Sequence, residues 1–83
     1  MQKYLLVGKC KKLDYHVIYN EDNELFRQYG IAIFKKDGNE MLSSQVACIS
    51  RDFDKVSNIA KTFYMQRIDP VHLLDCVENI LCD

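Results

Sequence analysis

His72 and Cys76 stand four residues apart near the C-terminal end of the sequence, a spacing that puts an imidazole and a thiol on one side of a helix. With Asp83 close to the same edge, two chemistries suggest themselves: a metal site, or a thiol nucleophile served by a base. Neither is complete. A structural zinc needs four ligands, usually from more than one chain segment, and His16, Cys10 and Cys48 lie in strand-like runs without ligand-like spacing. Cys76 falls on the apolar side of its helix, where a thiol ionises poorly and is hard to reach, and no oxyanion site lies beside it. The sequence therefore predicts no metal, no cofactor and no enzymatic activity.

Two charged constellations and a set of tyrosines remain. Asp75, Glu78, Asn79 and Asp83 share the polar side of the final helix, which has no Lys or Arg after Asp69. They form either an acidic docking face for a basic partner or an ordinary solvated helix face. Lys11, Lys12, Lys35 and Lys36 make the second set. In an up-and-down meander, the ends of strands one and three lie ~10 Å apart, two strand spacings. Lysines there, near Tyr15 and Phe34, can contact a phosphate backbone. Asp14, Asp37 and Glu40 dilute that field, and lysine at strand ends also serves to block edge-to-edge aggregation. Tyr15, Tyr19, Tyr29 and Tyr64 are candidate interface anchors, because tyrosine is common in binding hot spots.

The composition narrows the class. Eighty-three residues make one domain, here residues 1–83, and 48% hydrophobic with 28% charged residues is the balance of a folded chain. Net charge is −1, so no global field draws the protein to nucleic acid or membrane. The charge is unevenly spread: residues 1–36 hold seven Lys/Arg against four Asp/Glu, and residues 37–83 hold four against eight. Four cysteines without a CxxC pair read as free, buried thiols in a reducing compartment. The opening apolar run is too short for a signal peptide and no stretch reaches membrane-spanning length, so the expected location is the cytoplasm.

The elements that must position these residues follow from periodicity and turn chemistry. Residues 4–11 and 15–19 favour strand and are joined by Lys12-Leu13-Asp14. A long third strand is predicted over 25–35, and Asp37-Gly38 leads through a hairpin to a fourth over 42–49. Ser50 or Asp52 caps a helix whose Phe53, Val56, Ile59, Ala60 and Phe63 form one stripe. Asp69 and Pro70 suit the start of a second helix running to the end of the chain. The predicted fold class is α+β: a four-stranded antiparallel meander followed by two helices packed on one face. Its core is expected to hold Ile31 or Ile33, Val56, Ile59, Phe63, Leu74 and Val77.

The third strand is apolar on both sides, with Leu25, Tyr29, Ile31 and Ile33 opposite Phe26, Ala32 and Phe34. Two short helices cover one face of such a sheet. The second face is left for a partner or a second copy, unless the chain curls over it.

Tyr29-Gly30-Ile31-Ala32-Ile33, Ile49-Ser50-Arg51-Asp52 and the run from Pro70 to Leu81 together resemble a family of small bacterial proteins known as a domain of unknown function. Its members end in a Pro-Ile-His-Leu-x-Asp-Val-Val-Glu type of helix. Val71, Cys76 and Asn79 depart from that pattern here. The resemblance covers roughly the latter two-thirds of the chain and implies the order of elements, with no activity attached.

The function expected from these features is that of a small non-enzymatic regulatory protein that binds another protein or a second copy of itself. An inhibitor that occludes a larger macromolecule, of the phage anti-defence type, fits the description. Asp75, Glu78, Asn79, Asp83 and Tyr29 are the candidate contacts. The alternative is a single-stranded nucleic-acid-binding module that uses the sheet face and the edge formed by Lys11, Lys12, Lys35 and Lys36.

Overall fold

Two tight turns and one longer connection fold the first fifty residues into a meander. In the computed structural model, which describes residues 1–21 and 25–81 (for Leu81 the backbone only), β1 (Gln2–Cys10), β2 (Leu13–Asn20), β3 (Tyr29–Asp37) and β4 (Glu40–Ser50) form one antiparallel sheet in sequential order. Helix α1 (Phe53–Gln66) follows, then a 3₁₀ turn (Pro70–His72) and α2 (Leu73–Leu81). The ββββαα order is thus the one the sequence predicts. No described helix is long and apolar enough to cross a membrane.

Local boundaries differ in instructive ways. The first turn is Lys11-Lys12 rather than Lys12-Leu13-Asp14, and Lys11 adopts φ 53° to make it. The third strand begins at Tyr29, not at Leu25. Leu25 and Phe26 lie in an exposed turn, where Arg51 donates to the Leu25 carbonyl at 2.7 Å and its guanidinium lies 5.9 Å from the Phe26 ring. That anchoring takes the place of strand pairing. The β3–β4 hairpin forms where Asp37-Gly38 predicts it, but its two turn residues are Gly38 and Asn39: Asp37 closes β3 opposite Glu40, and Gly38 supplies φ 62° at the first turn position.

Of the two predicted caps of α1, Asp52 takes the position and Ser50 steadies it from outside the helix. Asp52 accepts from the Asp54 and Lys55 amides at 3.0 and 3.3 Å, and Ser50 Oγ accepts from the Asp52 amide at 3.1 Å. Asp69 caps the next segment, accepting from the Val71 amide at 3.2 Å, but that segment starts as a 3₁₀ turn. The α-helical phase is set only from Leu73.

One core results. Tyr15, Val17, Ile31 and Ile33 meet Val56, Ala60 and Phe63 of α1 and Leu73 and Val77 of α2. Ile59 is half-buried at its margin. Leu74, expected inside, is 53% exposed, because the narrow seam of α2 on the sheet is filled by Leu73 and Val77. The described cysteines are free, as expected, but not fully buried: Cys10 and Cys76 are half-buried and Cys48 is exposed.

Two bulges shape the sheet. Leu6 pairs with His16 but Gly8 pairs with Tyr15, so β1 carries one extra residue and its side-chain alternation reverses there. Tyr29 pairs with Ser50 and Ile31 with Val46, so three residues of β4 stand opposite Gly30 alone. Cys48, at φ 59°, sits in that bulge. The backbone of β4 is so close that a Cβ on Gly30 would meet the Val46 carbonyl oxygen, which is the physical reason for glycine in Tyr29-Gly30-Ile31.

Candidate functional site

Residues directly paired across strands share a face, and the core takes the odd-numbered residues of β2 and β3. The other face therefore carries Tyr4, Leu6 and Lys9 of β1, Asp14, His16 and Ile18 of β2, Ala32, Phe34 and Lys36 of β3, and Met41, Ser43 and Gln45 of β4. No described helix packs on it.

Its centre is closed by its own side chains. Gln2 Nε2 donates to Gln45 Oε1 at 3.2 Å and to the Tyr4 hydroxyl at 2.8 Å. This strap runs across β2 and β3, where Ile18 and Ala32 are 2% and 0% exposed. The chain thus partly curls over the face that the apolar pattern had left for a partner. Beyond the strap the face stays open, with Leu6 and Met41 about three-fifths exposed and Tyr4 about half.

Three rings from neighbouring strands gather into one compact cluster: Tyr4, His16 and Phe34. Their centroids lie 5.9 Å (Tyr4–His16), 5.2 Å (His16–Phe34) and 5.7 Å (Tyr4–Phe34) apart, in edge-to-face and tilted geometry. His16 Nδ1 is buried and has no hydrogen-bond partner among the described residues. Burial holds the imidazole pKa below its ordinary value, while the Asp14 carboxylate pulls it back up.

The cluster adjoins a basic concavity of about 280 Å³ through Phe34. Lys9, Lys11, Lys12 and Lys36 surround it, with Asp14, Phe34 and Met41 completing the lining. The Lys36 amide donates to the Lys12 carbonyl at 2.9 Å, which holds two of its corners together.

Among the described residues, Asp14 is the only carboxylate that strand register puts on this face. Asp37 and Glu40, expected to dilute the lysines, pair with each other in the register of the opposite face. Lys35 is a correction as well. It pairs with Leu13 and Leu42 on the helix side, where its Nζ is 2.8 Å from Asp69 Oδ2. That contact raises the Lys35 pKa and lowers the Asp69 pKa, chiefly through the hydrogen bond the two share. Lys9, missed in the sequence, takes its place in the basic set. The signal for it was the β1 bulge, which no residue pattern announces.

The other candidates are scattered. Asp75, Glu78 and Asn79 are exposed on α2, and Asp83 lies outside the described residues. Beside them, Val71 and Leu74 line a groove of about 490 Å³ with Leu42 of β4. Tyr29 is half-buried on the helix side, its ring against Tyr19 and Phe53, so it supports the core margin rather than offering a surface anchor. Tyr15, placed near the lysines by sequence, is fully buried on that same side. His72 is exposed on the 3₁₀ turn while Cys76 packs against the core.

No curated protein and no solved structure matches the chain. One family model does, over residues 5–83, and so reaches nearer the N-terminus than the stretch that carries the sequence resemblance. The chain belongs to that family, described as a family of unknown function (DUF6514).

Proposed function

We propose that this protein is a small non-enzymatic binding and regulatory domain that receives part of a larger macromolecule on the helix-free face of its sheet. One observation carries the reading. Exposed Tyr4 and Leu6, the His16 and Phe34 rings and the four-lysine concavity form one continuous surface on a single face, with Asp14 as its sole carboxylate among the described residues. Apolar contact area flanked by like charge is the makeup of a recognition surface, since the first supplies affinity and the second steers encounter.

The groove beside α2 supports a second reading. Val71 and Leu74 are 75% and 53% exposed next to Asp75 and Glu78, an apolar strip with an acidic rim suited to a basic protein segment.

Amide chemical-shift mapping separates the two. ¹⁵N-labelled protein is titrated with the protein fraction and, separately, the nucleic-acid fraction of the native host. Perturbations centred on Leu6, His16, Phe34 and Lys36 are expected. Shifts centred on Val71, Leu74 and Glu78 would move the function to the groove. Shifts at neither surface would end both readings. Sedimentation of the free protein identifies a second copy as the occupant if the face proves to be a dimer contact.

A further inference from the structure

We infer that the occupant of the helix-free face is single-stranded nucleic acid, its phosphates held at the lysine concavity and a base set against the Tyr4–His16–Phe34 cluster. The inference rests on the reading above and names the partner class for the same surface.

Charge gives the first reason. The whole chain is slightly acidic, at net −1, yet this end of this face gathers Lys9, Lys11, Lys12 and Lys36 around one carboxylate. Asp37 and Glu40 of the adjoining hairpin fall in the register of the opposite face, and Asp52, Asp54, Asp75 and Glu78 belong to the helical layer. The field is therefore directional, and it attracts an anion to the sheet rather than to the helices.

Shape and chemistry give the second. A compact anion would use the lysines alone and leave the rings idle. A chain that carries a charge and a flat apolar group in every unit uses both. The Tyr4, His16 and Phe34 centroids lie within 5.9 Å of one another, and Phe34 also lines the lysine concavity, so one aromatic cluster and one basic site adjoin on this face. A basic site next to an aromatic cluster suits a short single-stranded segment, its backbone at the lysines and a base against the rings. Ser43 and the Gln45 amide nitrogen, whose partner oxygen accepts from Gln2, are neutral polar groups in the register of the same face and suit the edges of unpaired bases.

A duplex has its bases stacked internally and offers nothing to three rings. An acidic peptide offers nothing flat to them. All four cations are lysines, point charges without the bidentate fork of arginine, so the binding should tolerate changes of base sequence.

Fluorescence anisotropy with labelled eight-nucleotide oligouridylate and oligothymidylate tests this, with salt varied between 50 and 200 mM. The expected plot of log affinity against log salt has a slope of about −2 to −3, since each phosphate neutralised on a single strand contributes about −0.7. Lys9→Gln and Lys36→Gln should each weaken binding several-fold and flatten the slope by about 0.7. Tyr4→Ser should weaken binding with the slope unchanged. Lys61→Gln, exposed on α1, should alter neither. Circular-dichroism melts confirm that each variant is folded.

Absence of oligonucleotide binding at the lowest salt would overturn the inference, as would a slope indifferent to Lys9 and Lys36 or equally sensitive to Lys61. Preference for the matching duplex would do the same. An eight-residue polyglutamate that competes as well as the oligonucleotide, and is indifferent to Tyr4, would assign the surface to an acidic protein segment. The inference would then fail while the surface reading stood. If the host fractions also leave the face unperturbed, that reading fails with it.

Discussion

Gln2 on one edge strand and Gln45 on the other meet side chain to side chain at 3.2 Å, although β2 and β3 lie between them. In a flat sheet those edges are ~14 Å apart, three strand spacings, so the sheet must coil toward its helix-free side for the bond to form. Ile18 and Ala32 are shielded beneath it. The strap, not a third helix, is how this small domain closes the centre of the second face of its sheet.

Because both amides are exposed, the strap's own energy is small. A double-mutant cycle with Gln2→Ala and Gln45→Ala, read by urea denaturation, should return a coupling of about 0.5 kcal/mol, the low end for a hydrogen bond. Strict additivity of the two substitutions would show that the bond contributes nothing to stability.

His16 links this face to pH. Burial lowers its folded-state pKa below the ordinary value near 6.5, so between the two values the unfolded chain binds the extra proton. Stability from this residue is complete above the unfolded pKa and is lost as pH falls below about 6.5. Thermal melts from pH 7.5 to 5 should decline more steeply for the wild type than for His16→Phe, which keeps a ring against Tyr4 and Phe34 but cannot be protonated. Equal slopes would remove His16 as the cause.

Gly30 is held to glycine by β4 rather than by its own dihedral angles. Its missing Cβ leaves room for the Val46 carbonyl and the Ala47 Cα where three residues of β4 bulge opposite it. Gly30→Ala should destabilise by about 1–3 kcal/mol, the usual range for overpacking against atoms that cannot move aside. In a domain of this size that lowers Tm by roughly 4–8 °C for each kcal/mol. A Tm within a degree of wild type would mean that the bulge relaxes freely.

The same bulges mark where the sequence stops being legible. Strand existence, the Asp37-Gly38 hairpin and the Asp52 cap all rest on local chemistry, and each is realised. Sidedness is a count along the strand, and a single bulge inverts it. Had β1 been regular, Lys9 would lie with Leu5 on the core side; the extra residue between Leu6 and Gly8 turns it outward. The Lys35-Lys36 doublet fails as a unit for a simpler reason. Adjacent strand residues point to opposite faces, so Lys35 is drawn to Asp69 and Lys36 to the basic concavity. Leu74, expected in the core, is turned outward where a 3₁₀ turn rather than an α-helix begins at Pro70.

Tyr15 offers the sharpest test of how the core is tied to the connection between the helices. Its ring is fully buried against Tyr64 of α1, with centroids 5.8 Å apart, and its hydroxyl donates to the Ile68 carbonyl at 2.9 Å. Burial, helped by the nearby Cys10 and Asp69, pushes its pKa up to about 12. The unfolded phenol ionises near 10, so between those values the folded state retains a proton that the unfolded chain has lost. The tyrosine's contribution is therefore intact below pH 10 and declines as pH rises toward 12. Tyr15→Phe preserves the ring packing, leaves the Ile68 carbonyl unpaired, and should cost about 1–2 kcal/mol at neutral pH. The variant should also lose this component of alkaline destabilisation, and a tyrosinate absorbance titration should show one fewer late-ionising phenol. A variant as stable as wild type at pH 7, with an unchanged titration, would mean that the Tyr15–Ile68 bond does not hold the α1–α2 connection to the sheet.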